Sequence, residues 1–407
     1  MTTAAMIEGP GYARYTYRLR VSSSASALLE AEWGRCRWVW NECVHTSRKI
    51  HLHNRADSES RRTCGPADLD KLLTEARVAM AWLRDGASVP QQQVIRDFGK
   101  SRAKAMKDIK AMLPMRQRAG LPKPKRKREA LASLNYTRRG FRIKDGRLHL
   151  AGGIVLTVVW SRELPSDPSS VRIHRDAVGH WWASFVVLTQ PEPLPAIGRA
   201  IGIDWGVKEI ATTTSDAHDL PHPQYGESAA RKLAHYQRQM ARRRQPKGKA
   251  QTKGYRKAQR QAAKVHKKIA NQRQDTARKW AKSVVHDHDA IAVEDFRPKF
   301  LAKTTMANKA ADAVIGATKA ALVEMARKHG RTVHPVNPAH TTMDCAHCGV
   351  RAKHRLPLSE RIYSCTACGV VSPRDKNSAR VMLVRAGLNP AGVDRGRPER
   401  PQDDRAA

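Results

Sequence analysis

Four cysteines in two matching pairs carry the sharpest chemical signal in this sequence. Cys345-x₂-Cys348 and Cys365-x₂-Cys368 stand sixteen residues apart, and each pair runs directly into a glycine, Gly349 and Gly369. Thiolate pairs on two such turns close a tetrahedral structural zinc site. Apparent binding free energies of roughly 10 to 16 kcal/mol fold segments this short. His347 and His354 lie nearby but are not needed to complete the four ligands. The remaining cysteines, Cys36, Cys43 and Cys64, are odd in number and have no disulfide-framework spacing. Cys36 and Cys43, seven apart on an expected helix, read as small buried hydrophobes.

A second set of residues is spread more widely. Ala200–Val207 (AIGIDWGV) is a short apolar run that stops at Asp204 and a glycine, and Asp289–Asp295 (DAIAVED) repeats the pattern with Glu294. Alone, each carboxylate could simply begin a turn. Two such strands side by side would instead place Asp204 and Glu294 in the crevice at their C-terminal ends. A third carboxylate, Asp375, opens an apparent helix that closes at Gly387. Ser372–Asp375 also fits a capping box with Pro373 at the first helical position. Hard oxygen ligands converging on one point are what Mg²⁺ requires. Two ions about 3.5 to 4 Å apart would activate water and stabilise the leaving oxygen in phosphodiester hydrolysis. His286, His288, His334 and His340 lie near this set and read as surface or satisfied histidines. No His-Ser or Cys-His constellation competes.

The elements that must hold these residues can be read in outline. Tyr12–Val21 alternates apolar and basic residues, the period of a half-buried strand with a cationic outer face. Ser22–Ser24 supply caps for a helix carrying Leu28, Leu29, Trp33, Trp38 and Trp40, and Asp68–Leu83 and Pro90–Leu113 read as further helices. Gly120–Arg128 (GLPKPKRKR) is a proline-punctuated basic loop, either a solvated linker or a contact to a phosphate backbone. Strand patterns return from Leu131 to Val187, with turns at Asp145-Gly146 and Val178-Gly179, and Gln190–Pro195 reads as a linker. The pattern predicts a β-barrel interrupted by a helical bundle, followed by an α/β domain that carries the carboxylates.

Charge names the partner class. The 407 residues hold 75 Lys and Arg against 37 Asp and Glu, a net +38 and a pI near 10.6. That balance excludes a typical enzyme of small metabolites and points to polyphosphate. Arg231–Lys282 concentrates it, with nineteen Lys or Arg and the single acid Asp275. Val265, Ile269, Thr276, Trp280 and Val284 mark one packed face there. The most apolar stretch, Gly153–Trp160, is far shorter than the roughly 18 residues of a membrane span. The first residues lack a signal-peptide pattern, so a cytoplasmic, nucleoid-associated location is expected. No solenoid-period repeat is present.

Taken in order, Asp204-x-Gly206, the basic helices, Val293-Glu294-Asp295-Phe296, Val336-Asn337-Pro338-Ala339-His340-Thr341-Thr342, the cysteine pairs and Arg374-Asp375-x-Asn377 resemble the RuvC nuclease of TnpB proteins and compact type V CRISPR effectors. Tyr15–Val21, Gly34-x-x-Arg37-x-x-x-Asn41, Lys123–Arg128 and Arg175-Asp176-x-x-Gly179-x-Trp181 resemble that family's N-terminal half. The resemblance covers roughly residues 10–385. It implies a multidomain α/β protein. A wedge-like β-barrel would span 1–22 and 131–195, and a helical recognition lobe 23–130. An RNase H-like RuvC nuclease domain would span 196–340 and 370–385, a zinc ribbon that binds target nucleic acid 341–369, and a disordered tail 386–407. By position, Asp204, Glu294 and Asp375 become the metal-binding catalytic carboxylates, and Arg374 an assistant at the phosphate. Trp205 stands where the family usually has an aliphatic residue, and Ser378 with Arg380-Val381 where it more often has Ala and an Asn.

The activity this implies is RNA-guided DNA cleavage. A structured guide RNA and target DNA are the partners, a short flanking DNA motif is read by the protein, and magnesium and zinc are the cofactors. A homodimer on one guide RNA is an open assembly. Two other readings compete: a transposase acting on transposon ends without RNA, and a zinc-ribbon silencer that binds DNA without cutting.

Overall fold

The computed structural model describes residues 11–57, 59–115, 117–127, 130–246, 248–295, 314–354, 356–357 and 359–388. Phe296, Arg128, residues 1–10 of the expected barrel and residues 389–407 of the expected tail lie outside the described residues. The chain divides into two compact units, one of residues 10–189 and one containing residues 190–407.

The first unit opens with β1 (Gly11–Arg20), whose alternation buries Tyr17 and Leu19 and leaves Arg14 and Arg20 outside. Ser22 then caps α1 (Ser23–Ala56), its hydroxyl accepting from the Ala25 amide at 3.1 Å. The helix continues unbroken through Cys36 and Cys43, both fully buried as expected. The segment read as one helix over 68–83 breaks at Met80 into α2 (Pro66–Ala79) and α3 (Ala81–Arg84). α4 follows (Ser88–Lys110). Six strands then join β1: β2 (Ser133–Thr137), β3 (Phe141–Lys144), β4 (Arg147–Leu150), β5 (Ile154–Val159), β6 (Ser170–Arg175) and β7 (Trp181–Thr189). The sheet order is β2-β6-β7-β1-β5-β4-β3, antiparallel throughout. Its two edges, β2 and β3, are consecutive in the chain with only Arg138–Gly140 between them, so the sheet is nearly closed. Asp145-Gly146 makes the β3–β4 turn with both φ positive, 51° and 69°, as a two-residue hairpin demands. Sheet and helices share one apolar core, in which Leu29, Ile95 and Phe98 meet Leu134, Ile173 and Phe185.

The basic run near residue 125 is pinned at Lys125 and exposed on either side of it. Lys125 stacks 3.8 Å from the Trp40 ring and 5.2 Å from Trp33. Its backbone exchanges hydrogen bonds with the Asn41 amide at 2.7 and 3.2 Å, and Trp40 Nε1 donates to the Lys123 carbonyl. Only Lys123, Arg126 and Lys127 of this run are exposed among its described cations.

The second unit is built on a mixed sheet of β8 (Ala200–Trp205), β9 (Glu209–Thr213), β10 (Leu220–Pro221), β11 (Ala290–Glu294) and β12 (Thr332–Val336), in the order β10-β9-β8-β11-β12. β8, β11 and β12 run parallel, and the β8–β9–β10 meander is antiparallel. Residues 190–195, read as a linker, pack on this unit, where the Glu192 and Leu194 amides donate to the Lys328 and His329 carbonyls. The basic segment forms a hairpin of α6 (Ala230–Arg243) and α7 (Lys253–Asp287), preceded by the single turn α5 (Tyr225–Ser228). α6 buries none of its residues; α7 buries Ile269, Trp280 and Val284 of the expected face, together with alanines between them. α7 and α8 (Ile315–Lys328) cover one sheet face through Trp280, Val284, Ile315 and Leu322 against Ile201, Ile203 and Val293. The hairpin β13 (Ile362–Ser364) and β14 (Val371–Pro373) leads into α9 (Arg374–Arg385), whose Met382 and Leu383 pack on Ala292 and Val336 of the other face. Gly202 makes that approach feasible: a Cβ there would sit 2.0 Å from the Ala379 carbonyl oxygen of α9.

Candidate functional site

Residues around the two cysteine pairs form twin turns. The Cys345 amide donates to Val350 O and the Gly349 amide to Cys345 O, and the Cys365, Val370 and Gly369 set repeats this. Gly349 and Gly369 take φ of 76° and 74°, conformations that disfavour a side chain. The four sulfurs all lie within 4.8 Å of one another, with Cys345 to Cys368 at 3.7 Å and Cys348 to Cys365 at 3.6 Å. Zinc–sulfur bonds of about 2.3 Å in a tetrahedron put sulfurs roughly 3.8 Å apart. A disulfide would need about 2.05 Å. The four thiols are therefore compatible with structural zinc, as expected.

The parallel register of β8 and β11 aligns Ile291 with Ile201 and Val293 with Ile203. Glu294 therefore falls beside Asp204, and the two-residue side-chain alternation turns both toward the α9 face. Asp375 reaches the same region from the first turn of α9. The capping box read at Ser372–Asp375 does not form: Pro373 occupies the cap, and the Ser372 hydroxyl instead meets Pro373 O and Arg380. Asp204, Glu294, Asp375, Arg374, Thr212 and His340 all line one cleft of about 690 Å³. It opens at the C-terminal ends of the parallel strands, the position where ligands collect in open α/β sheets.

Desolvation, then the charges of Glu294 and Asp375, hold the Asp204 carboxyl well above the usual carboxylate range, against the pull of the Arg374 guanidinium. Burial likewise pushes Glu294 up to about 7, opposed by the Trp205 amide and the Lys319 ammonium. The Trp205 amide donates to Glu294 Oε2 at 3.4 Å. Carboxyls crowded and desolvated in this way gain a great deal from a bound cation. Every candidate ligand here is an oxygen, the donor type of a hard ion such as Mg²⁺. The spacing refines the expectation of a single point. Among the described residues, only the four thiols form a group whose ligand atoms lie within 4.8 Å of one another. Oxygens around one magnesium at about 2.1 Å can be no more than about 4.2 Å apart. The three carboxylates share one cleft without forming such a group.

Arg374, expected to assist at a phosphate, is buried, and its Nη1 donates to Pro357 O at 2.8 Å and Glu360 O at 3.4 Å. Three cations were not singled out from the sequence. Lys319 meets Asp295 Oδ1 at 2.9 Å and Glu294 O at 3.2 Å. Arg361 lies 3.7 Å from Asp375. Lys376 ties Asp216, Asp219 and Thr213 O together at 2.6, 2.7 and 2.9 Å. Lys376 occupies the unread position of Arg374-Asp375-x-Asn377, whereas Lys319 and Arg361 carry no local signal. Of the histidines, His340 lines the cleft, with φ of 63°, and His288 is buried with Nδ1 3.0 Å from Val284 O.

This architecture is a multidomain α/β fold of the Cas12f kind: a solved Cas12f1–sgRNA–target DNA complex superposes with a TM-score of 0.56 at 11% identity, over 92% of this chain and 98% of that one. The model of the OrfB_IS605 family, described as "Probable transposase", matches residues 184–304, and the Cas12f1-like TNB domain matches residues 316–382. A Streptomyces pristinaespiralis protein named as an RNA-guided DNA endonuclease is 29% identical over 95% of this chain and 92% of its own length. A similarly named Escherichia coli K12 protein is 25% identical over 91% of each. A CRISPR-associated DNA-binding protein, Cas12m of Allomeiothermus silvanus, is 29% identical over 30% of this chain and 25% of its own. The chain is TnpB-like in sequence, resembling these proteins over most of its length. Among the described residues no helix is long and apolar enough to cross a membrane.

Proposed function

We propose that this protein is an RNA-guided DNA endonuclease. It binds a structured guide RNA, pairs that guide to target DNA beside a short flanking motif, and hydrolyses phosphodiesters in a single site. The observation that carries the reading is the cleft at the ends of β8 and β11, lined by Asp204, Glu294 and Asp375 in a chain of net charge +38. Base pairing supplies sequence specificity in such systems, while the protein reads backbone shape and the flanking motif. The nuclease layer is read as RNase H-like, and residues 341–369 as a zinc ribbon that contacts target nucleic acid. The wedge-like barrel (1–22 and 131–195) and the helical lobe (23–130) would hold the guide.

Asp204, Glu294 and Asp375 would hold the magnesium. When bound there, it supplies the polarisation of water and of the scissile phosphate. Lys319 and Arg361 offset charge at the cleft rim, and Arg374 opposes the build-up of negative charge around Asp204. Purified complex in Mg²⁺ tests the site: Asp204→Ala, Glu294→Ala and Asp375→Ala should each lose at least 10²-fold in cleavage rate, and wild-type rates in all three would refute it. Cleavage that survives complete removal of RNA would refute guide dependence.

Two alternatives have specific support. The family description "Probable transposase" favours a transposase; one that acts on transposon ends without RNA would be argued against by co-purifying RNA. The Cas12m relative, a DNA-binding protein by name, favours DNA binding; a silencer that binds without cutting predicts no products at any Mg²⁺ concentration. A homodimer on one guide is tested by the mass of the assembled complex, and nucleoid association follows from the same partners.

A further inference from the structure

Asp375 follows Cys368 by seven residues, and almost every residue between them is held. Val371–Pro373 is strand β14, paired to β13 residue by residue from Ser364↔Val371 to Ile362↔Pro373. The Arg374 amide then donates to Arg361 O at 2.8 Å. The residues on either side of Asp375 in the first turn of α9 reach back to the cysteine-bearing segment. Arg374 donates to the carbonyls of Pro357 and Glu360. Asn377, only 1% exposed, works in both directions: its Nδ2 donates to Asp344 O at 2.8 Å, and its Oδ1 accepts from the Ala346 amide at 3.1 Å. Those two backbone groups flank Cys345. Asp344 itself is gripped by Arg351 at 2.6 Å and by Arg385 at 2.5 Å, so the far end of α9 is tied to the same turn. Asp375 lies between these anchors, and its carboxylate lines the cleft.

We propose that the four-thiol ribbon is a positioning device for Asp375, with Asn377 as the positioning residue that couples them. Closure of the sulfurs fixes the 344–346 turn, Asn377 transmits that position to α9, and Asp375 is presented to the cleft. The cleft's affinity for a divalent cation therefore depends on a side chain that never touches the cation. Partners that orient metal-binding groups typically contribute about 10- to 100-fold in metal affinity. The inference rests on the nuclease reading above.

The test uses the full-length protein with Mn²⁺ as the probe. Binding is followed by electron paramagnetic resonance, zinc content by elemental analysis, and cleavage by the guide-loaded complex across a Mg²⁺ titration. Asn377→Ala should bind Mn²⁺ about 10-fold more weakly while retaining its zinc. It should shift the Mg²⁺ requirement upward, with cleavage recovering at high Mg²⁺. Asn377→Asp, which keeps the acceptor for Ala346 but loses the donor to Asp344, should fall between wild type and Asn377→Ala, and it carries the test if the alanine variant does not fold. Wild-type Mn²⁺ affinity in the folded variant would overturn the proposal, as would a cleavage loss that no Mg²⁺ concentration repairs. Asp375→Ala separates the two levels. If it abolishes Mn²⁺ binding and cleavage while Asn377→Ala changes neither, only the positioning role fails. If Asp375→Ala is itself without effect, the nuclease site has been misassigned.

Discussion

Glu294 is a residue the fold tolerates at a cost. Its carboxyl titrates near pH 4.5 in an unfolded chain and is pushed by burial to about 7 in the native state. Above both values the native protein carries a charge that its surroundings disfavour, and below about pH 4.5 that cost is absent. One unit of such a shift corresponds to about 1.4 kcal/mol. Glu294→Gln keeps an oxygen for the Trp205 amide and removes the charge. In metal-free protein at pH 8 it should therefore raise stability by about 1 to 3 kcal/mol, read as a higher midpoint in urea, while eliminating cleavage. An unchanged or lowered midpoint would show that Glu294 is not electrostatically strained.

At the scale of elements, the site depends on how closely α9 lies on β8. Gly202 sets that distance, since an added Cβ would meet the Ala379 carbonyl oxygen, a backbone atom that cannot swing aside. Gly202→Ala should force helix and strand apart and destabilise by about 1 to 3 kcal/mol. Because Asp204 is two residues along the same strand and Asp375 four residues up the same helix, cleavage should fall as well, by more than the loss of folded protein explains. Stability by urea titration and cleavage per folded molecule, measured together, check this; activity that only tracks folded fraction would sink it.

The same packing explains what could be read from the sequence. The strands that carry Asp204 and Glu294 were legible because a short apolar run closed by a carboxylate is a local pattern. The cysteine pairs were legible because ligand spacing is local too. Gly202 looked like any strand glycine, since its reason lies 177 residues away in α9. The clamp on Lys125 was not legible, because nothing in GLPKPKRKR announces the Trp33 and Trp40 rings that hold it. The capping box at Ser372 was a correct local pattern overridden by the β13–β14 pairing, which carries the strand through Pro373.

For the whole molecule, charge decides how it meets its partners. α6 buries no residue, and Arg231, Lys232, Arg238 and Arg242 along it are all exposed. Each phosphate they neutralise releases counterions, contributing about 0.9 to the slope of log affinity against log salt on duplex DNA and about 0.7 on single strands. Replacing all four by Gln removes charge from a helix with no core role, so folding should be unaffected. Affinity for nucleic acid should fall, and the salt slope should flatten by up to roughly 3 to 4 if all four meet phosphates. Titrations of guide RNA and of target DNA at several salt concentrations distinguish which polyanion α6 serves: only the slope for its own partner should change. If both slopes remain at the wild-type value, α6 is a solvated face, and the phosphate contacts come from cations elsewhere, those of α7 among them.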